Sequence, residues 1–281
     1  MPHLIRQLTT SDGLSLHFRE YSASSVTRGV VVALHGIQSH SGWYEYSSEK
    51  MADAGFTVYF ADRRGSGMNF EQRGHADHGL RLLHDVRQLL RRVRREHPGQ
   101  PVTLMGISWG GKIAAATAAL CPDLVQQLVL MYPGLHPQIG PNVWQRIQLN
   151  FARRHDLRHR FVKLPLNDPA LFTDVPHWQR FIGEDERALH HVTSGFLNAG
   201  RDLDRLIAQN RNAIAQPVLL MLAGNDRIID NRRTQRTVTD FGSTAVTVRK
   251  YPNAAHTLEF DADREQIVDD LVDWLSTEHR R

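Results

Sequence analysis

The sequence predicts an α/β fold, a mostly parallel, doubly wound sheet with helices on both faces, and three observations predict it. Short apolar runs at 30–34, 56–60, 102–105, 128–132 and 218–223 alternate with helix-patterned stretches, as strands joined by crossover helices do. A serine stands between two glycines, Gly106-Ile107-Ser108-Trp109-Gly110, where one such run meets one such helix. The alternation stops after Tyr132-Pro133-Gly134 and resumes at Gln216-Pro217-Val218, as it would around an inserted segment. A chain of 281 residues can bury one substantial core, so one large domain with an insertion is expected rather than two separate domains.

Taken in order, residues 14–20 and 30–34 read as strands of an initial hairpin region, with Asp12-Gly13 as a turn. The run at 56–60 is the next strand and leads into Asp62-Arg63-Arg64-Gly65-Ser66-Gly67. A long helix is expected over 77–97, because Leu80, Leu83, Val86, Leu90 and Val93 recur at helical spacing and Pro98-Gly99 stops it. Val102-Thr103-Leu104-Met105 is a strand that enters the serine turn, and Gly111-Lys112-Ile113-Ala114-Ala115-Ala116 opens a small-residue helix. Residues 135–215 carry no convincing strand but helix-like pieces at 143–154, 176–182 and 185–214. Strands at 218–223 and 245–251 complete a sheet of about eight strands.

The chemistry begins at Ser108. A serine hydroxyl is a poor nucleophile until a base and an anion-stabilising pocket surround it, and a strand-to-helix turn exposes the oxygen while aiming a helix N-terminus at it. Gly106 and Gly110 are needed because a side chain at either would crowd the turn, and glycine tolerates the unusual backbone angles such a turn can require. The orienting acid is Asp226, after the apolar run 218–223 and the turn Gly224-Asn225; Asp230 is its near competitor, and Asp202 and Asp204 are distant ones. The base is His256, after the strand-like run at 245–251 and the loop Pro252-Asn253-Ala254-Ala255. Serine, then aspartate, then histidine is the chain order of the α/β-hydrolases, not of the chymotrypsin or subtilisin types.

The run at 30–34 ends in His35-Gly36-Ile37, and Gln38-Ser39-His40-Ser41-Gly42-Trp43-Tyr44 follows. With these and the Asp-x-x-Gly-x-Gly turn at 62–67, the chain resembles an α/β-hydrolase of the branch that holds monoacylglycerol lipases, lysophospholipases and S33-type serine aminopeptidases. The match covers the core from about 30 to 130 and again from 218 to 260. The resemblance implies that the backbone N–H groups of Ile37 and Trp109 hold the oxyanion. It also implies a helical cap inserted after the sixth strand, so that 1–134 and 216–281 form the core and 135–215 the cap. The chain departs from the branch's commonest elbow, Gly-His-Ser-Met-Gly-Gly, by carrying Ile107 and Trp109 beside the serine. His35, Gly36, Trp144, Phe172 and Trp178 are the residues expected against a substrate. Together with Ile147, Phe151, Phe161, Leu164, Leu166, Leu171, Phe181 and Phe196, the cap aromatics would form an apolar ceiling for an acyl chain or aromatic group. His35 is expected to hold the oxyanion turn rather than to act as a second base.

Composition removes other classes. A net charge of +4 is too small an excess to argue for nucleic acid, and the arginines 91, 92, 94 and 95 complement a helix C-terminus. The single cysteine, Cys121, cannot form an internal disulfide. The first residues carry no apolar run of signal-peptide length, and no segment reaches the 18 or so apolar residues of a membrane span, so a cytoplasmic location without membrane insertion is expected. His155 and His159 have the i, i+4 spacing of zinc ligands but not the glutamate that would follow the first, so no metal is expected there. Gly106 to Lys112 imitates a phosphate loop, yet Ile113 stands where Ser or Thr should bind magnesium.

The expected activity is hydrolysis of a carboxylic ester of a small, lipid-like molecule through an acyl-enzyme, with no cofactor. Two rivals are an aminopeptidase or amidase of the same fold, which would need an acidic pocket such as Glu184, Asp185 and Glu186 for a substrate amine, and a non-catalytic binding protein.

Overall fold

The computed structural model describes residues 3–140 and 143–278. Along the chain the strands are β1 (Leu4–Thr9), β2 (Ser15–Tyr21), β3 (Gly29–Leu34), β4 (Phe56–Ala61), β5 (Val102–Ile107), β6 (Gln127–Met131), β7 (Phe161–Lys163), β8 (His191–Thr193), β9 (Val218–Ala223) and β10 (Val246–Tyr251). The helices are α1 (Glu45–Asp53), α2 (Gly79–Glu96), α3 (Gly110–Leu120), α4 (Val143–Arg154), α5 (Pro176–Glu184), α6 (Ser194–Asn210), α7 (Asn231–Thr239) and α8 (Arg264–Glu278). Eight strands form one sheet in the order β1-β2-β4-β3-β5-β6-β9-β10. β1, β2 and β4 pair antiparallel, and every pair from β4 across to β10 is parallel.

The period of two in a strand sends alternate side chains to opposite faces, and each face has its own core. Val30, Val32, Leu34, Val102 and Leu104 pack with α2, α3 and α6 on one face. Val31, Ala33, Met105 and Ile107 pack with α1 and α8 on the other. Central strands buried on both faces read as continuous apolar runs, which is why they are legible in the sequence.

The initial hairpin differs from the expectation. β2 turns through Asp12-Gly13 onto β1, while β3 crosses to the sheet centre and pairs parallel with β4 and β5. β1 is an edge strand with most of its side chains at least partly in solvent, so it has no apolar alternation to betray it. The long helix starts at Gly79, where the His78 ring accepts the Arg81 N–H, and Leu80 faces solvent. Between β6 and β9 the stretch expected to lack strands also contains the antiparallel ribbon β7–β8. Each of its strands is three residues long, too short to show a period.

The parallel strands place their C-terminal ends along one edge. Leu34 of β3 lies opposite Gly106 of β5, and Ala223 of β9 opposite Tyr251 of β10. Open α/β sheets bind ligands at such an edge. Among the described residues no helix is long and apolar enough to cross a membrane.

Candidate active site

β5 ends at Ile107, and the next residue, Ser108, has φ 48°. This left-handed backbone is unusual for a residue with a side chain. It is fixed by its surroundings: the Ser108 N–H donates to the Met131 carbonyl at 3.0 Å, and its carbonyl accepts from Gly111 N–H at 2.9 Å and Gly134 N–H at 2.7 Å. The flanking glycines are required by space and not by φ, which is a correction to half of the sequence argument. A Cβ on Gly106 would lie 2.6 Å from Ala114 Cβ, and one on Gly110 would meet the Leu34 and His35 carbonyl oxygens.

The turns after β9 and β10 bring two more side chains to this elbow. The Ser108 hydroxyl lies 2.9 Å from His256 Nε2. The other ring nitrogen, Nδ1, donates to Asp226 Oδ2 at 2.8 Å. Asp226 Oδ1 accepts the N–H groups of Ile228 at 2.8 Å and Ile229 at 2.9 Å, so the carboxylate is fixed by its own turn. The His256 and Asp226 side chains are only 3% and 0% exposed. Tyr132 and Phe172 meet the His256 ring edge-on at 4.7 and 6.0 Å, shielding it from water. The competing acids are engaged elsewhere: Asp230 caps α7, Asp204 pairs with Lys112, and Asp202 pairs with Arg153 and Arg205.

On the far side of Ser108 lies the turn after β3. Gly36 borders the serine closely, and a Cβ there would come within 3.3 Å of Ser108 Cβ. The Gly36 N–H donates to Ser39 Oγ at 3.0 Å. Ile37 N–H and Trp109 N–H have no acceptor among the described residues. Trp109 precedes the first residue of α3, so its N–H lies at the positive end of that helix.

His35 is placed otherwise than expected for a substrate contact. It is 1% exposed, and both ring nitrogens are used, Nδ1 donating to the Gly36 carbonyl at 2.8 Å and Nε2 accepting the Arg63 N–H at 2.9 Å. Burial, with the Arg63 charge adding to it, pushes its pKa well down and keeps the ring neutral.

Of the aromatic residues expected over the site, two touch its side chains. Phe172 meets His256, and Phe196 of α6 stacks on the Trp109 indole at 4.4 Å. Trp178 instead stacks on Phe260 at 4.6 Å, in a cluster with Phe181 and Trp43. Trp144, Ile147, Phe151 and Phe161 are more than half exposed, Trp144 at 75%, so that part of the expected ceiling faces outward. His159 stacks on His75 and His155 lies against Phe151.

Sequence reasoning missed two contributors. Tyr132, φ 36°, lies edge-on against the His256 ring, and no pattern marks it. Arg63 sits behind the turn after β3, its Nη1 donating to the Gly36 carbonyl at 2.9 Å and its Nη2 to the Ile37 carbonyl at 3.1 Å. Its place inside the Asp-x-x-Gly-x-Gly turn was the signal that could have found it.

Comparison with known proteins places the chain in a family. The family model described as serine aminopeptidase, S33, matches residues 25–263. A protein of Mycolicibacterium smegmatis named monoacylglycerol lipase is 24% identical over 269 residues, 94% of this chain and 93% of that one. The structure of a soluble variant of Saccharomyces cerevisiae monoglyceride lipase, in complex with a substrate analogue, superposes with TM-score 0.85 at 19% identity, covering 99% of this chain and 95% of that one. A thermostable carboxyl esterase from Bacillus coagulans, in complex with glycerol, gives TM-score 0.85 at 17% identity and 99% of each chain. At these identities the two solved structures establish the α/β-hydrolase fold.

Proposed function

The chain belongs to the S33 serine aminopeptidase family of α/β-hydrolases, and from that membership we propose that it hydrolyses carboxylic esters of the monoacylglycerol or lysophospholipid type through a Ser108-His256-Asp226 triad. The observation that carries the reading is the hydrogen-bonded chain from Ser108 Oγ to His256 to Asp226 at a left-handed elbow.

Ser108 Oγ attacks the ester carbonyl carbon as His256 Nε2 takes its proton. Asp226 holds the ring in the tautomer that can accept this proton and stabilises the imidazolium. The carbonyl oxygen, now an anion, is received by the N–H groups of Ile37 and Trp109. Collapse of the tetrahedral intermediate breaks the bond to the alcohol, which leaves with the proton from His256. Water then attacks the acyl-enzyme, giving its proton to His256, and a second collapse releases the carboxylic acid and returns the proton to Ser108. The 135–215 segment acts as a cap, with Phe172 and Phe196 as apolar surface near the acyl group. A medium or long acyl chain is therefore expected to react faster than acetate.

The amidase reading has less to stand on. Of the acidic group at 184–186, Asp185 accepts from the Trp43 indole N–H at 2.6 Å and lies 3.0 Å from His40 Nε2, while Glu184 and Glu186 are exposed. The one buried side chain of this group, Asp185, is thus already engaged by the loop beyond β3.

Labelling with a fluorophosphonate, on the wild type and on Ser108→Ala, tests the nucleophile. A p-nitrophenyl ester series from acetate to palmitate, with monoacylglycerols and amino-acid amides alongside, tests the substrate. Labelling lost in the variant together with ester turnover is the expected result. Labelling that survives Ser108→Ala overturns the mechanism, and a flat chain-length profile or faster amide turnover overturns the substrate class.

A further inference from the structure

A single buried guanidinium touches both the turn that carries the Ile37 N–H and the side chain of Trp109. Arg63 is 8% exposed and has no ion-pair partner among the described residues. Its neighbour Arg64 pairs with Asp12 at 3.0 Å and Asp85 at 2.8 Å. Asp62, the carboxylate adjacent in sequence, gives its oxygens to Ser41 N–H at 2.7 Å and Met68 N–H at 2.8 Å. Burying a cation without a direct ion pair is costly, and burial pulls the pKa of Arg63 down to about 9 against the nearby Asp62 charge, which raises it, so that it stays charged at neutral pH. What it gains instead is two carbonyls, the Ser66 hydroxyl at 2.7 Å, and the stacked rings of Trp109 and Phe196, whose centroids lie 5.0 and 4.8 Å away.

Those partners are informative. The Gly36 carbonyl and the Ile37 N–H belong to one rigid trans peptide and point in opposite directions. Arg63 Nη1 and His35 Nδ1 hold the oxygen end of that plate from one side, so the N–H end is turned to the other, where Ser108 lies. Arg63 Nη2 holds the next carbonyl, that of Ile37, and so fixes the following peptide as well. The same guanidinium lies on the ring of Trp109, the residue that carries the second N–H. One planar fork therefore touches both halves of the pocket.

We propose that Arg63 is a positioning residue for the oxyanion pocket: its guanidinium clamps the Gly36-Ile37 peptide and the Trp109 ring so that both backbone N–H groups converge on the oxyanion formed at Ser108. The inference rests on the ester-hydrolase reading above. It assigns to Arg63 an effect on the transition state and not on substrate binding. Lysine cannot replace it, because a point donor on a flexible stem cannot bridge two carbonyls while resting against an indole.

The test compares wild type with Arg63→Met and Arg63→Lys. Active sites are counted by the end point of fluorophosphonate labelling, kcat and KM are measured on a p-nitrophenyl ester, and Ki on a trifluoromethyl ketone, which forms an oxyanion when the serine adds to it. For Arg63→Met the expected result is a fall of about 100-fold in kcat per labelled site, the scale of a lost oxyanion donor. Ki should rise by the same factor while KM stays within threefold. Arg63→Lys should fall between the two. A merely structural role would reduce the labelled fraction and the melting temperature and leave kcat per site and Ki unchanged. That outcome, within threefold of wild type for Arg63→Met, overturns the proposal. If Arg63→Met does not fold, Arg63→Lys decides, and a kcat and Ki within twofold of wild type overturn it. A wild type that neither labels nor hydrolyses overturns the ester-hydrolase reading itself, whereas an active wild type matched by its variants removes only the role of Arg63.

Discussion

Asp226 binds His256 with one carboxylate oxygen, Oδ2 at 2.8 Å from Nδ1, and binds its own turn with the other, Oδ1 accepting from both Ile228 and Ile229. The two oxygens thus face donors on both sides. In Asp226→Asn either orientation of the amide sets a donor against a donor. Facing the ring, its NH2 would force His256 into the tautomer that cannot take the serine proton. Turnover of a p-nitrophenyl ester is expected to fall by about 10⁴, with KM little changed. A loss of less than tenfold would mean that this carboxylate does not orient the ring.

Ser108→Ala should cost about 10⁶ in kcat, as in another serine hydrolase. Far-ultraviolet circular dichroism should match the wild type, since the Ser108 N–H and carbonyl that hold the elbow are main-chain groups.

The elbow glycines answer for stability. Gly110→Ala drives a methyl group into the Leu34 carbonyl, whereas Gly140 has nothing within 4 Å of the same added atom. Urea unfolding should show Gly110→Ala destabilised by about 1–3 kcal/mol or more and Gly140→Ala within about 0.5 kcal/mol of wild type. Equal effects at the two sites would contradict the packing argument.

A buried carboxyl outside the triad contributes to the pH dependence of the fold. Glu259 is 2% exposed, and burial raises its pKa from 4.5 to about 7, against the Ser47 N–H bond, which lowers it. With the folded pKa above the unfolded one, the stability it contributes is complete below pH 4.5 and is lost as pH rises through 7. Glu259→Gln keeps an acceptor for Ser47 and cannot ionise. Its unfolding free energy should match wild type near pH 4.5 and exceed it above pH 7 by up to about 3 kcal/mol. Parallel pH curves for the two proteins would count against the raised pKa.

Asp185 fastens the stretch after α5 to the loop beyond β3, through Trp43 and His40. Asp185→Ala leaves the indole N–H unmet and should cost about 1–3 kcal/mol in unfolding. Asp174 makes only an exposed pair with Arg227, and Asp174→Ala should change stability by less than about 1 kcal/mol.

What the sequence made legible follows from how strongly each element is constrained. β3, β5, β6 and β9 are buried on both sides, and they stand out as apolar runs. The three polar residues of the site follow strand ends at fixed offsets, so order and context were enough to single them out. β1 at the edge and the ribbon β7–β8 were not legible, because exposed or three-residue strands leave no periodic signal. The fate of each aromatic between β6 and β9 was hidden for another reason. Composition says that Trp144 and Phe172 are both apolar, yet only three-dimensional packing decides that one lies in solvent and the other against His256. Arg63 stood inside the Asp-x-x-Gly-x-Gly turn, but its charge gave no hint that it is buried.

The left-handed backbone at Ser108 also limits what can ever occupy its place. A β-branched side chain at φ 48° would collide with its own main chain, so threonine, although it carries the same hydroxyl, is barred from this elbow. Cysteine and aspartate have no such branch. The routes by which this scaffold can acquire a new nucleophile are thus set by a torsion angle before chemistry selects among them, and a library that randomises position 108 should yield folded, reactive variants only from that short set.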